Sequence, residues 1–169
     1  MTRPRLPCLL VAGVGMGDPN FHQTVVLLLE WNDEGAFGLV LNRPTDLAID
    51  EHLPDVAHLA ADPKTVHVGG PVQTEIAIGL DVTPGTAPTL VDLASLLDGV
   101  LSVRVFAGYA GWGEMQLDQE IAAQAWHVSR WIAPDLEPGC GPALWRAVLR
   151  RQRGTVAFES LYPDDLAAN

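Results

Sequence analysis

Lysine is almost missing from this chain of 169 residues: Lys64 is the sole example. It lies outside any glycine loop, which excludes a Walker-type phosphate loop, where a lysine must follow the glycines. Cations as a whole are scarce. Lys plus Arg is 10 against 21 Asp plus Glu, so 10 − 21 gives a net charge of −11. A nucleic-acid backbone is repelled by that field, and direct nucleic-acid binding is not expected. Cysteine is scarce too. Cys8 and Cys140 are too few for a disulfide scaffold in a chain this long. Cys8 sits in the apolar run Leu6–Ala12 and reads as a small buried hydrophobe. Cys140 sits in a Pro/Gly-rich loop over 138–142, with nothing beside it arranged to activate a thiol.

Long apolar runs are lacking as well. None reaches the roughly 18 residues of a membrane span, so no membrane association is expected. Arg3 and Arg5 precede an apolar stretch, but Gly13, Gly15 and Gly17 interrupt it and no small-residue cleavage site follows. The expected location is the cytoplasm. Charged residues make up 18% and hydrophobic ones 48%. A chain of this composition and length buries roughly 70% of its unfolded surface and folds without metal or disulfide.

Catalytic and metal signatures are lacking in turn. His22, His52, His58, His67 and His127 show no zinc-ligand spacing. Ser95, Ser102, Ser129 and Ser160 lack a nucleophile-elbow context. The run Gly13-Val14-Gly15-Met16-Gly17 follows a strand, yet Asp18 stands where the dinucleotide fingerprint needs a small residue, and no helix follows. No cofactor and no metal are expected.

What is present is a pattern of short strands and scattered helices. Leu9–Ala12 and Thr24–Leu29 read as buried strands, and Asn32–Gly35 as the turn into a partner strand over Ala36–Leu41. Residues 46–60 have near-helical spacing that Pro54 interrupts, which predicts one short helix or two broken pieces. Val66–Val68, Glu75–Leu80, Val103–Ala107 and Trp126–Val128 read as strands. Leu90–Leu97, Glu114–Ala123 and Pro142–Arg153 read as helices. The pattern predicts one domain over 1–169 of the α+β class with a mixed sheet, with a three-layer α/β/α arrangement as the alternative.

Two clusters stand out. Arg146, Arg150 and Arg153 share a face of the last helix beside Arg151, which suits either an anion or a solvated basic face. Gly108-Tyr109-Ala110-Gly111-Trp112-Gly113 follows a strand and reads as a turn before a helix. Its glycines allow close approach of another group, and Tyr109 and Trp112 offer apolar faces with a polar handle. Both a pocket wall and a tight turn with two core aromatics fit that composition.

Several segments together resemble the YqgE/AlgH family. They are Leu9–Ala12, Asp18–Phe21, Thr24–Val26, Gly35–Pro44, Gly69–Val72, Gly108–Trp112 and Gln116-Leu117, in the family's order over about residues 6–153, leaving 154–169 as a C-terminal tail. The resemblance implies a compact domain with a mixed, branched β-sheet surrounded by helices. It also implies bacterial, cytoplasmic proteins often labelled transcriptional regulators, with no established catalytic residues. The chain departs from the pattern at Gly13-Val14, where Met-Pro is usual, at Trp31, often His, and at Glu114-Met115, commonly Pro-Gly.

These readings favour a non-enzymatic regulatory or interaction domain that takes a small molecule or a protein partner. The rival is a hydrolase or transferase working near the Gly108–Trp112 turn. The candidate ligand site gathers Asp18, Asn42, Arg43, Gly69, Gly70, Pro71, Tyr109, Gly111 and Trp112. These residues lie at expected strand ends, where loops gather on a rigid sheet. Arg43 offers a forked donor and Trp112 a stacking face.

Overall fold

The computed structural model describes residues 2–96, 98–137 and 141–164. Two adjacent apolar strands form the spine. β1 (Cys8–Ala12) and β2 (Val25–Asn32) pair antiparallel, with Cys8 opposite Leu28 and Val11 opposite Val25. From Cys8 to Ala12 and from Val25 to Leu28 every residue is buried, because both faces of the sheet are covered here and continuous apolar runs satisfy both. β3 (Gly35–Val40) returns against β2 across a turn in which Asn32 Oδ1 accepts the Glu34 N–H at 2.8 Å.

β4 (Pro44–Ala48) follows and leads into α1 (Ile49–His52) and a 3-10 turn over Pro54–Leu59. The expected break at Pro54 is there. Next come β5 (Thr65–Val68), β6 (Val72–Asp81), β7 (Thr89–Val91), β8 (Val103–Trp112), α2 (Gln116–Ala122) and β9 (Trp126–Ser129). A 3-10 turn over Ala133–Leu136, α3 (Pro142–Arg150) and a 3-10 helix over Gly154–Leu161 complete the chain. The strand order is β4-β5-β8-β3-β2-β1-β9, with β6 and β7 branching from β8. Among the described residues only β5 and β8 run parallel as paired strands, so the sheet is mixed and branched, within one α+β domain.

α3 lies on β1 and β2. It buries Leu144, Trp145, Val148 and Leu149, one face at helical spacing, and the Trp145 indole N–H donates to the Ala12 carbonyl at 2.7 Å. A second, smaller core gathers Ile49, Val56, Val66, Val103 and Val105 under the β5–β8–β6 arm.

The structure corrects several element readings, among them the end of the last helix, which stops at Arg150 rather than Arg153. Residues 90–97 do not form a helix among the described residues; Thr89–Val91 is a strand paired with Gly79–Asp81. Thr89 and Val91 are β-branched, and the Asp92 carboxylate then accepts the Ala94 N–H at 2.9 Å and starts a turn instead of a helix. Gly108–Trp112 is not a turn either. It is the second half of β8, paired with β3 from Gly38↔Ala110 to Ala36↔Trp112. α2 begins two residues later than the composition suggests, because Met115 adopts a left-handed conformation (φ +57°) just before it. Cys140 lies outside the described residues.

The branch has a physical cause. The first half of β8 lies between β5 and β6, with His67↔Phe106 on one edge and Ile78↔Phe106 on the other. At Gly108 (φ +71°) β8 exchanges β5 for β3. Gly69 stitches the changeover: its N–H donates to the Ala107 carbonyl at 2.9 Å, and its carbonyl accepts from Val40 N–H at 2.8 Å. A Cβ on Gly69 would lie 2.2 Å from the Gly108 carbonyl oxygen, and one on Gly70 would lie 2.1 Å from the Tyr109 carbonyl. Backbone rests directly on backbone, which only glycine permits.

Candidate functional site

The residues expected to bind a ligand fall into two structural groups. Gly69, Gly70 and Tyr109 belong to the branch just described, and Pro71, exposed, bridges β5 to β6. The Tyr109 ring lies 4.9 Å from that of Phe37, and Gly111 is exposed beside it. The second group surrounds the 18–24 loop. Asp18 Oδ1 accepts the Asn20 N–H at 2.9 Å, and its main-chain carbonyl accepts from Phe21 and His22. Arg43 donates to the His22 carbonyl at 2.8 Å. Asn42 is buried, its side-chain oxygen accepting from Val25 N–H and its amide donating to the Gln23 and Gly141 carbonyls, each at 2.9 Å.

Trp112 joins the groups. Its ring lies 6.3 Å from that of Phe21, the neighbour of His22, and 5.9 Å from Trp126. The Trp112 and Trp126 indoles both donate to Glu120 Oε2 at 2.9 Å, while Gln116 holds Oε1. Asp18, Asn42 and Arg43 thus gather at the 18–24 loop, which Trp112 reaches through Phe21, and their side chains are engaged by the protein itself. The last helix ends at Arg150, short of Arg151 and Arg153, and two of the four arginines, Arg146 and Arg151, are likewise engaged. Arg151 grips Asp135 in a bidentate pair at 2.6 and 2.7 Å, and Arg146 holds the carbonyls of Ser160 and Tyr162 and the Asp164 carboxylate.

A cavity of about 640 Å³ opens elsewhere. None of the nine residues lines it. One wall is the stretch from His52 in α1 to Val56 in the following 3-10 turn. The opposite walls are Ala77–Gly79 of β6 and Leu90–Ala94, from β7 into the turn after it. The groove forms because β7 is short: it pairs with β6 only over Gly79–Asp81, then turns away at Asp92. Leu93 closes over Gly79, where a Cβ would meet its side chain at 2.6 Å. Leu53, Val56, Val91 and Leu93 belong to the smaller core, so the groove is an unfilled continuation of that core towards solvent. Its polar groups are the exposed His52, Asp55 and Asp92, and no Lys or Arg lines it.

No signal in the sequence marked this place. It joins three segments distant in the chain, and one of them had the composition of a helix.

His67 in β5 and Arg104 in β8 are both buried. Burial, with the Arg104 charge second, pushes the His67 imidazole down to about 4, against the hydrogen bond with the Thr65 carbonyl. The Cys8 thiol is pushed up to about 11 by burial, which keeps it inert. Among the described residues, no three His, Cys, Asp or Glu side chains converge to hold a metal ion. No helix there is long and apolar enough to cross a membrane.

Residues 9–157 match a family model described as AlgH-like. The UPF0301 protein SCO2948 of Streptomyces coelicolor is 43% identical, over 95% of this chain and 93% of that protein. The chain belongs to the AlgH-like family. A UPF0301 protein of Mycobacterium avium is 37% identical, covering 99% of this chain and 92% of its own length. Among solved structures, the AlgH-like fold described above resembles the crystal structure of DIP2367 from Corynebacterium diphtheriae. The TM-score is 0.84 at 25% identity, over 95% of this chain and 94% of that one. It also resembles the solution structure of AlgH from Pseudomonas aeruginosa, with a TM-score of 0.66 at 25% identity over 96% and 98%. The expected family and the mixed sheet of an α+β domain are both borne out.

Proposed function

We propose that this AlgH-like protein is a non-enzymatic interaction domain that binds a small apolar molecule in the groove between α1 and β6–β7. The groove itself carries the reading. At about 640 Å³ it falls within the roughly 300–1,000 Å³ of small-molecule sites, and it has their composition, apolar walls with a few polar groups at the rim. The enzyme alternative finds less support. Asp18, Asn42 and Arg43 are occupied in holding the 18–24 loop, and none faces the groove. Gly69, Gly70 and Tyr109 serve the sheet branch, and Asp18, Asn42 and Arg43 serve the 18–24 loop. A cytoplasmic regulatory role, through a bound partner rather than direct DNA contact, accords with the net charge of −11.

Calorimetric titration with 1-decanol, below its solubility limit, tests the site. The wild-type protein gives saturable binding. Ala77→Trp and Ala94→Trp, each of which fills the groove, weaken it at least tenfold while melting stays cooperative. Absence of saturable binding to the wild type would refute the groove reading.

A further inference from the structure

We propose that the groove selects an amphipathic cation: a single molecule with an aliphatic or aromatic body and one ammonium end. This rests on the groove reading above and adds the charge of the occupant. The walls, Leu53, Val56, Ile78, Leu90 and Leu93, present only hydrocarbon. Asp55 and Asp92 enter from opposite walls, one from the 3-10 turn after α1 and one from the turn after β7. Asp50 and Glu51 in α1 add negative field on the first side. No lysine or arginine lines the groove, and His52 is its one basic group. A carboxylate-headed ligand would place its charge between two like charges beside a low-dielectric wall, whereas an ammonium meets complementary ones. The same field concentrates cations at the mouth before they enter. The Asp92 carboxylate already accepts the Ala94 N–H through Oδ1, so its position is fixed rather than left to a free rotamer.

Three ligands of one chain length decide the matter, titrated at low ionic strength and below aggregation: decylammonium, 1-decanol and decanoate. Decylammonium binds at least fivefold tighter than 1-decanol, and decanoate is weakest. In the double variant Asp55→Asn/Asp92→Asn the three affinities converge, with 1-decanol unchanged. Asn at 92 retains the acceptor for Ala94 N–H, so the turn is kept. A second double variant, Glu30→Gln/Glu34→Gln, removes the same charge from exposed sites outside the groove and leaves the preference for decylammonium intact. Equal affinity of the three ligands for wild type would overturn the cation proposal and leave the groove reading standing. Loss of preference in both double variants would also overturn it, by tracing the effect to net charge. Binding of none of the three would remove the groove reading itself.

Discussion

Glycine at three positions decides whether this sheet can branch. A methyl group on Gly70 would sit 2.1 Å from the Tyr109 carbonyl, against rigid backbone on a strand paired at both edges. Gly70→Ala is therefore expected to cost about 3 kcal/mol or more, in the range of severe steric and backbone effects. Gly17→Ala, with nothing within 4 Å and no positive φ, is expected to stay within about 0.5 kcal/mol of wild type. Urea unfolding of the two variants measures the contrast, and equal midpoints would contradict the account of the branch. His67 gives a second test. Its folded imidazole titrates near 4 rather than 6.5. Above pH 6.5 it is neutral folded or unfolded, and stability is complete. As pH falls towards 4 the unfolded chain takes up a proton that the folded one refuses, so stability declines across that window. At 1.36 kcal/mol per pKa unit the loss is at most about 3 kcal/mol. His67→Gln should flatten the decline between pH 6.5 and 4.5, and an unchanged slope would count against a buried neutral His67.

At the scale of elements, the start of α2 explains a departure from the family pattern. The chain has Met115 where the family commonly has glycine, and Met115 adopts φ +57° at the head of the helix. That conformation costs an ordinary residue roughly 1–2 kcal/mol. Glycine adopts such a backbone without that cost. Met115 is about half exposed, so little packing is lost by its removal. Met115→Gly is expected to stabilise the protein by roughly 0.5–1 kcal/mol, the relief of strain less the greater freedom of glycine in the unfolded chain. Differential scanning calorimetry should show a higher midpoint, and a lower one would contradict the helix-start geometry. The same scale shows what was legible in the sequence. β1 and β2 could be read because continuous β-branched and leucine runs have no other home than a doubly covered sheet. β4 could not, because Pro44, Thr45 and Asp46 look like a turn and take their extended form from pairing with β5. The second half of β8 was hidden for the same reason: its glycines resemble a turn but answer a close crossing of chains made by residues about 40 positions earlier.

For the whole molecule, the division into two cores governs where function can lie. The large core under α3 is closed, with Trp126 and Trp145 almost fully buried. The smaller core under α1 is left open by the short β7, and the groove is that opening. The motif residues were the visible part of the sequence because a sheet branch demands particular residues at particular places. A groove lined by Leu, Val, Ala and Ile demands only hydrocarbon, so it leaves no motif, and it becomes visible only once three distant segments meet. The central claim is that this opening holds a ligand. Intermolecular nuclear Overhauser effects between 1-decanol and methyl-labelled protein test it most directly. The account predicts cross-peaks from the decanol chain to methyls of Leu53, Val56, Ile78, Leu90 and Leu93. Cross-peaks confined instead to the exposed Leu161 and its surroundings, or to the methyls around Trp112, would contradict it.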